Sequence, residues 1–211
     1  MPILCVKGLT IGYGSHVVIK DFSMCLKRGE VVAVTGASGS GKSSLIRAIL
    51  GFVEVHSGEV YVDGVAARMG HMNQLRRHTA YLPQDLSFPC EWVREAIEMP
   101  FSFKCNKDKS VTDDMWFDAF ASLGLEKGIM NKRLNEISGG QRQRMMLAVV
   151  AMLDKDVIIL DEPTSALDAE SVKLVIGFVK NLKERGKTIL AVTHNANFAA
   201  VCDRVVNIPT L

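Results

Sequence analysis

Short apolar runs separated by glycine-bearing turns open the chain: ILCVKGLTI, HVVIKDFSMCL and EVVAVT, over residues 1 to about 35. Apolar and polar positions alternate within them, the period of a strand with one face on a core and the other in water. GEVYVDGV adds a further pair of runs, with Asp63-Gly64 placed as a hairpin turn. Together they predict a small antiparallel sheet at the N-terminal end. Val157 to Leu160 (VIIL) and Thr188 to Val192 (TILAV) are instead continuously apolar and β-branched. That pattern predicts strands buried on both faces, in a parallel sheet covered by helices.

Helical spacing lies between the strands. Ser44 to Leu50 predicts a helix stopped by Gly51, and Asp168 to Arg185 a long amphipathic one with Asp168 as N-cap and Gly186 as its stop. Between Asp85 and Glu136 the strand signals fade. There Thr112 is placed to cap a helix carrying Trp116, Ala119, Phe120 and Leu123 on one face, after a polar loop, KCNKDKS, that reads as solvated. From Ile137 to Val150 the sequence ISGGQRQRMMLAVV opens on a serine and two glycines, then turns basic, then apolar. It predicts a helix whose first turn is bare backbone, which suits an anion. The whole pattern predicts an α/β core interrupted by a mostly helical insert.

Composition narrows the partners. With 48% hydrophobic and 23% charged residues among 211 the chain is globular, and a net charge of +2 gives no reason to expect nucleic acid. The cysteines (Cys5, Cys25, Cys90, Cys105, Cys202) are scattered, odd in number and free of CxxC spacing. They predict neither a disulfide framework nor a zinc site, and fit a reducing cytosol. The N-terminus is too polar for a signal peptide, and no apolar run has the length to cross a bilayer. Work at a membrane would therefore need another chain to span it. His16, His56, His71 and His78 have no ligand-like spacing and read as surface residues; Met145-Met146 reads as core filler.

The candidate chemistry starts at Gly36, Ala37, Ser38, Gly39, Ser40, Gly41, Lys42, Ser43 and Ser44. GASGSGKSS fits G-x-x-x-x-G-K-[ST] between an apolar strand and a helix. Its glycines let backbone N–H groups converge on phosphates, Lys42 can neutralise the β and γ phosphates, and the Ser43 hydroxyl can ligate Mg²⁺. VIILDEP puts Asp161 and Glu162 at the exit of a buried strand. One carboxylate there can hold a metal's water shell, and its neighbour can orient or deprotonate an attacking water.

Taken in order, these motifs resemble the ATP-binding cassette, the nucleotide-binding subunit of ABC transporters, over nearly every residue. ISGGQ at 137 to 141 resembles the family signature, with Ile137 where leucine is usual, and SALD at 165 to 168 resembles the D-loop. Thr193-His194 is similar to the switch histidine, with Asn195 where aspartate often follows, and Gln84 in YLPQD to the Q-loop glutamine. Tyr13 occupies the place of the aromatic that stacks on adenine, although simple packing would also suit it. Taken alone, His194 would read as a core histidine after a buried strand; its place downstream of the carboxylate pair favours a γ-phosphate contact.

The resemblance implies a P-loop NTPase core with a mostly parallel sheet, an N-terminal antiparallel β-subdomain and an inserted helical subdomain. It divides one domain into an ATP-binding core, 1–84 and 141–211, and a helical part, 85–140, ending in the signature. Two cassettes, identical or related, would meet head to tail, so that Ser138, Gly139, Gly140 and Gln141 serve the partner's ATP and Asp168 signals across the dimer. Ser43, Gln84 and Asp161 would hold Mg²⁺ directly or through water, Glu162 would polarise the attacking water, and His194 would contact the γ-phosphate. A transmembrane permease on whose cytoplasmic face the subunit docks is the implied partner, with Phe88 and Trp92 in DLSFPCEWVREAI near the docking groove. A soluble ATPase of the same fold, as in iron–sulfur cluster assembly, is the alternative. The compact insert is similar to that of small cassettes assigned to metal-ion export.

Overall fold

The computed structural model describes residues 2–67 and 72–209. The chain begins with β1 (Pro2–Tyr13) and β2 (His16–Lys27), followed by β3 (Val31–Thr35) and α1 (Lys42–Ile49). Next come β4 (Ser57–Val62), β5 (Val65–Ala66), α2 (Met72–His78) and β6 (Thr79–Leu82). The helical stretch holds α3 (Val93–Ser102), α4 (Asp113–Ser122), two short 3₁₀ turns and α5 (Gly139–Met152). The chain then alternates β7 (Val157–Asp161), α6 (Ala169–Glu184), β8 (Thr188–Val192), α7 (Ala196–Ala199) and β9 (Arg204–Asn207).

Among the described residues the strands form two sheets, an antiparallel one in the order β2-β1-β4-β5 and a parallel one in the order β6-β7-β8-β3-β9. The expected hairpin is present: Asp63 and Gly64 both have positive φ, 48° and 76°, as a type I′ turn requires. One expectation fails. EVVAVT is β3, an inner strand of the parallel sheet between β8 and the edge strand β9, and does not join the antiparallel one. Its four apolar residues, Val31 to Val34, are all buried, the mark of a strand covered on both sides.

Alternation along the parallel strands sorts their side chains onto two cores. Ile158, Leu160, Ile189 and Ala191 face the helical stretch, where they pack with Trp116, Phe120 and Val149. Val157, Ile159, Leu190 and Val192 face the antiparallel sheet and α1, packing with Leu4, Ile11, Leu45 and Ile46. Both layers are needed, because a sheet this apolar cannot leave either face in water.

Two helices, α4 and α6, start where the sequence places them, whereas α1 begins at Lys42, two residues ahead of the expected Ser44. Thr112 caps α4 through its side chain, which accepts from the Met115 N–H, and buries Trp116, Ala119 and Phe120. Asp168 caps α6 by accepting from the Ser171 N–H at 2.7 Å, and Gly186 follows its end with φ of 80°. The loop at 104–110 is less solvated than expected. Asn106 is buried and donates to the Pro100 carbonyl at 2.8 Å, satisfying a helix-end acceptor that no amide of α3 reaches. Cysteine chemistry also differs: Cys5 and Cys25 are bonded as direct cross-strand partners of β1 and β2, so one disulfide exists where none was expected. His16 and His56 are exposed, His78 is half-buried, and His71 lies outside the described residues.

Candidate active site

The parallel strands end side by side, and the chemistry-bearing residues follow them: the glycine loop after β3, Gln84 after β6, Asp161 and Glu162 at the end of β7, and Thr193-His194 after β8. This is the edge at which open α/β sheets bind ligands. A cleft of about 540 Å³ opens there. Gly36, Ser38, Gly39, Gly41, Lys42, Ser43, Ser44, Gln84, Asp161, Glu162 and His194 all line it, with Val18 and Val192 beside them.

The loop conformation depends on glycine at Gly41, which caps α1 with φ of 92°. A Cβ at that position would stand 2.7 Å from the Ile19 side chain, so neither the backbone angle nor the space admits another residue. Lys42 folds back over the loop, its Nζ donating to the Gly36 and Ala37 carbonyls at 2.9 Å each. An ammonium group has three N–H bonds, so one donor remains for an anion. The amides of the first turn of α1 have no intrahelical acceptors and carry the positive end of the helix dipole. Ser40 stands apart from its neighbours: its side chain is buried, and its amide closes a turn on the Ala37 carbonyl at 3.1 Å.

Two carboxylates meet the loop from β7. Asp161 and Glu162 are only 5% and 6% exposed. Burial, together with the neighbouring Glu162 charge, pushes the Asp161 carboxyl up to about 6, against the opposing effects of the Tyr81 hydroxyl and Arg47. Tyr81 is itself pushed up to about 12, mainly by burial. Asp161 Oδ1 is buried without a hydrogen-bond partner. A buried acceptor left bare beside a second carboxylate, in a cleft that Ser43 also lines, suits a hard divalent cation. Glu162 Oε2 lies 2.9 Å from His194 Nδ1 and 3.4 Å from the His194 amide, while the His194 side chain is 70% exposed at the cleft mouth.

The remaining candidates lie outside this cleft. Tyr13 is at its rim, 48% exposed, with its hydroxyl 3.1 Å from Ser44 Oγ. Ser138 and Gln141 are occupied with each other: Ser138 Oγ accepts from the Gln141 N–H at 3.1 Å, and Gln141 Oε1 accepts from the Ser138 N–H at 2.8 Å. That reciprocal cap presents Ser138 and Gly139 at an exposed helix start. The Asp168 carboxylate is held below the usual range by the Ser171 N–H.

The sequence reading missed three side chains here. Tyr81 touches Asp161, Ser165 Oγ donates to the Glu162 carbonyl at 3.1 Å, and Gln143 Nε2 donates to the same carbonyl at 2.7 Å. Gln143 was detectable: it lies four residues before Leu147 and seven before Val150, a polar residue in an apolar helical stripe.

A family model described as ABC transporter matches residues 19–165 of the chain. The glutamine transport ATP-binding protein GlnQ of Geobacillus stearothermophilus is 37% identical over 203 residues, spanning 92% of this chain and 81% of that protein. The macrolide export ATP-binding/permease protein MacB of a Shewanella species is 34% identical over 210 residues, 97% of this chain but 32% of its own length. The dimeric post-hydrolysis state of the ATP-binding cassette MJ0796, bound to ADP and Pi, has a TM-score of 0.84 at 27% identity, covering 97% of this chain and 94% of that one.

Proposed function

The chain belongs to the ABC transporter family as an ATP-hydrolysing subunit, and from that premise we propose how its residues divide the work. Residues 1–84 and 141–211 form the ATP-binding core, and 85–140 a helical subdomain ending in the signature. Two cassettes, identical or related, close head to tail around two ATP molecules. Each nucleotide then lies between one chain's phosphate loop and the other's Ser138, Gly139, Gly140 and Gln141. The exposed, self-capped start of α5 supports this, as does the dimeric form in which the MJ0796 cassette holds ADP and Pi.

The observation that carries the reading is the convergence of Lys42, Ser43, Gln84, Asp161, Glu162 and His194 on one cleft floored by the glycine loop. Lys42 and the amides of the loop between Gly36 and Ser44 that are not closed on the loop itself, as the Ser40 amide is, hold the phosphates, and the exposed face of Tyr13 takes the adenine. Ser43, Gln84 and Asp161 hold Mg²⁺ directly or through water. When bound, Mg²⁺ draws negative charge away from the phosphate oxygens. Glu162 orients the attacking water and accepts its proton, giving ADP and phosphate. His194, anchored on Glu162 through Nδ1, turns Nε2 towards the γ-phosphate and donates to it when the ring is an imidazolium, with an N–H at each nitrogen. No covalent intermediate is needed, because positioning and charge neutralisation carry most of phosphoryl-transfer catalysis.

No helix among the described residues is long and apolar enough to cross a membrane. The subunit acts in the cytoplasm, on the cytoplasmic face of a membrane, by docking on a transmembrane permease through the segment after Gln84. Relatives named for glutamine transport and macrolide export support this over a role in iron–sulfur assembly. Mg²⁺-dependent ATP hydrolysis by the purified chain, abolished by Lys42→Ala, is the test. Hydrolysis that persists in Lys42→Ala would overturn the assignment of the cleft.

A further inference from the structure

Gln143 makes a contact that none of the phosphate chemistry above employs. It lies on α5, two residues after Gln141, and is 3% exposed. Its Nε2 donates to the Glu162 carbonyl at 2.7 Å, while the Glu162 amide donates to the Val192 carbonyl at 2.9 Å. The Glu162 backbone is therefore held by β8 at its amide and, at its carbonyl, by α5 together with the Ser165 amide and hydroxyl, of which the Gln143 contact is the shortest. It needs such fixing, because its φ of 50° lies in the left-handed region that residues other than glycine seldom adopt. Rotation about that backbone sets where the carboxylate points in the cleft.

The helix that carries Gln143 starts at Ser138. Its first turn is packed closely on the segment leading to Asp168: a Cβ on Gly140 would stand 3.1 Å from Leu167 and 3.2 Å from the Ala166 carbonyl. An α-helix moves as a rigid rod over so few residues, so a displacement of the Ser138 end carries the Gln143 amide with it.

We propose that Gln143 is a positioning residue for ATP hydrolysis, which holds the Glu162 backbone and ties it to the helix end that meets the partner's nucleotide. This rests on the shared-site reading above. Occupancy of one nucleotide site then bears on the hydrolytic competence of the other through a single helix and a single hydrogen bond.

The test uses the full chain with Gln143→Met, which keeps the length but removes the donor, and Gln143→His, whose ring N–H restores one. ATPase rates, binding of labelled ATP, the Hill coefficient for ATP and thermal melting are measured for each. The proposal expects kcat to fall about 10- to 100-fold in Gln143→Met, the range for loss of a supporting contact. KM, ATP affinity and melting temperature should stay near those of the unaltered chain, the Hill coefficient should drop towards one, and Gln143→His should recover most of kcat. An unchanged kcat overturns the proposal; so does a loss equal in both variants, or one matched by equal losses of ATP affinity or melting temperature. The shared-site reading is judged separately, by whether Glu162→Gln dimerises with ATP. If that dimer fails to form, the link to the partner's nucleotide falls with it, while the kcat and KM comparison still decides whether Gln143 positions Glu162.

Discussion

His194 Nδ1 lies 2.9 Å from Glu162 Oε2, so the imidazole at the cleft mouth is oriented by the carboxylate beneath it. The contact fixes which ring nitrogen is free to meet a γ-phosphate. His194→Ala should lower kcat about 10²-fold with little effect on ATP affinity, as expected for a donor used in the transition state. Steady-state ATPase assays with parallel nucleotide binding check this. Weakened binding with kcat unchanged would place His194 in ground-state binding.

Lys42 caps two loop carbonyls as well as facing the cleft. Lys42→Ala should therefore weaken ATP binding by roughly 1.5–3 kcal/mol, the range for a hydrogen bond to a charged group. It should also loosen the loop, which equilibrium binding of labelled ATP and hydrogen exchange over residues 36–41 would register. Binding at full strength would remove Lys42 from the phosphate site.

Asp161 provides a pH test. Its carboxyl is pushed up to about 6 in the folded chain, from 3.8, mainly by burial. A group that binds its proton more tightly when folded destabilises the fold above about pH 6, and the penalty fades as the pH falls through the window between those values. Without nucleotide or metal, Asp161→Asn should be more stable than the unaltered chain at pH 8, by about 3 kcal/mol. The gap should close towards pH 4 in urea titrations. With Mg²⁺ and ATP the order should reverse, because the variant loses the ligand's stabilisation.

How much of this was legible in the sequence follows from how local each signal is. VIIL and TILAV announce buried parallel strands through composition alone, and GASGSGKSS carries its own strand–loop–helix context. EVVAVT carries an apolar run as long as VIIL, but its place directly after two alternating runs groups it with the antiparallel sheet. The Cys5–Cys25 pairing depends on the register of β1 against β2, which residue spacing does not encode. His78 has no ligand-like spacing in the sequence because its neighbours are distant along the chain: its Nδ1 lies 3.6 Å from Asp63 and 3.4 Å from Asp156. Gln143 leaves only a faint trace in the sequence, a polar residue in an apolar helical stripe, because its partner is a backbone carbonyl 19 residues away.

The segment after Gln84 holds two aromatic rings with different surroundings. Phe88 packs against the core, whereas Trp92 is 39% exposed, with the Arg133 guanidinium over its ring at 4.9 Å. Trp92→Ala should leave the isolated subunit's ATPase nearly intact and uncouple it from the permease in membranes, as expected of an interface anchor. Equal losses in the isolated subunit and the membrane complex would assign the ring to packing instead.

Trp116 is the largest buried side chain of the helical stretch, 2% exposed and edge-on to Phe101 at 5.8 Å. Trp116→Ala should destabilise the chain by about 3–5 kcal/mol in urea titrations, the usual cost of emptying such a site. A change of well under 1 kcal/mol would mean that α4 contributes little to the fold.

The central claim is that two cassettes share each ATP, and Glu162→Gln tests it most directly, because this variant should bind ATP and hydrolyse it slowly. Light scattering measures its mass with and without saturating Mg²⁺ and ATP. The shared-site account predicts a shift from the 23.1 kDa monomer to twice that mass when ATP is added, reversed by removing the nucleotide. A variant that binds ATP and remains at 23.1 kDa would contradict it.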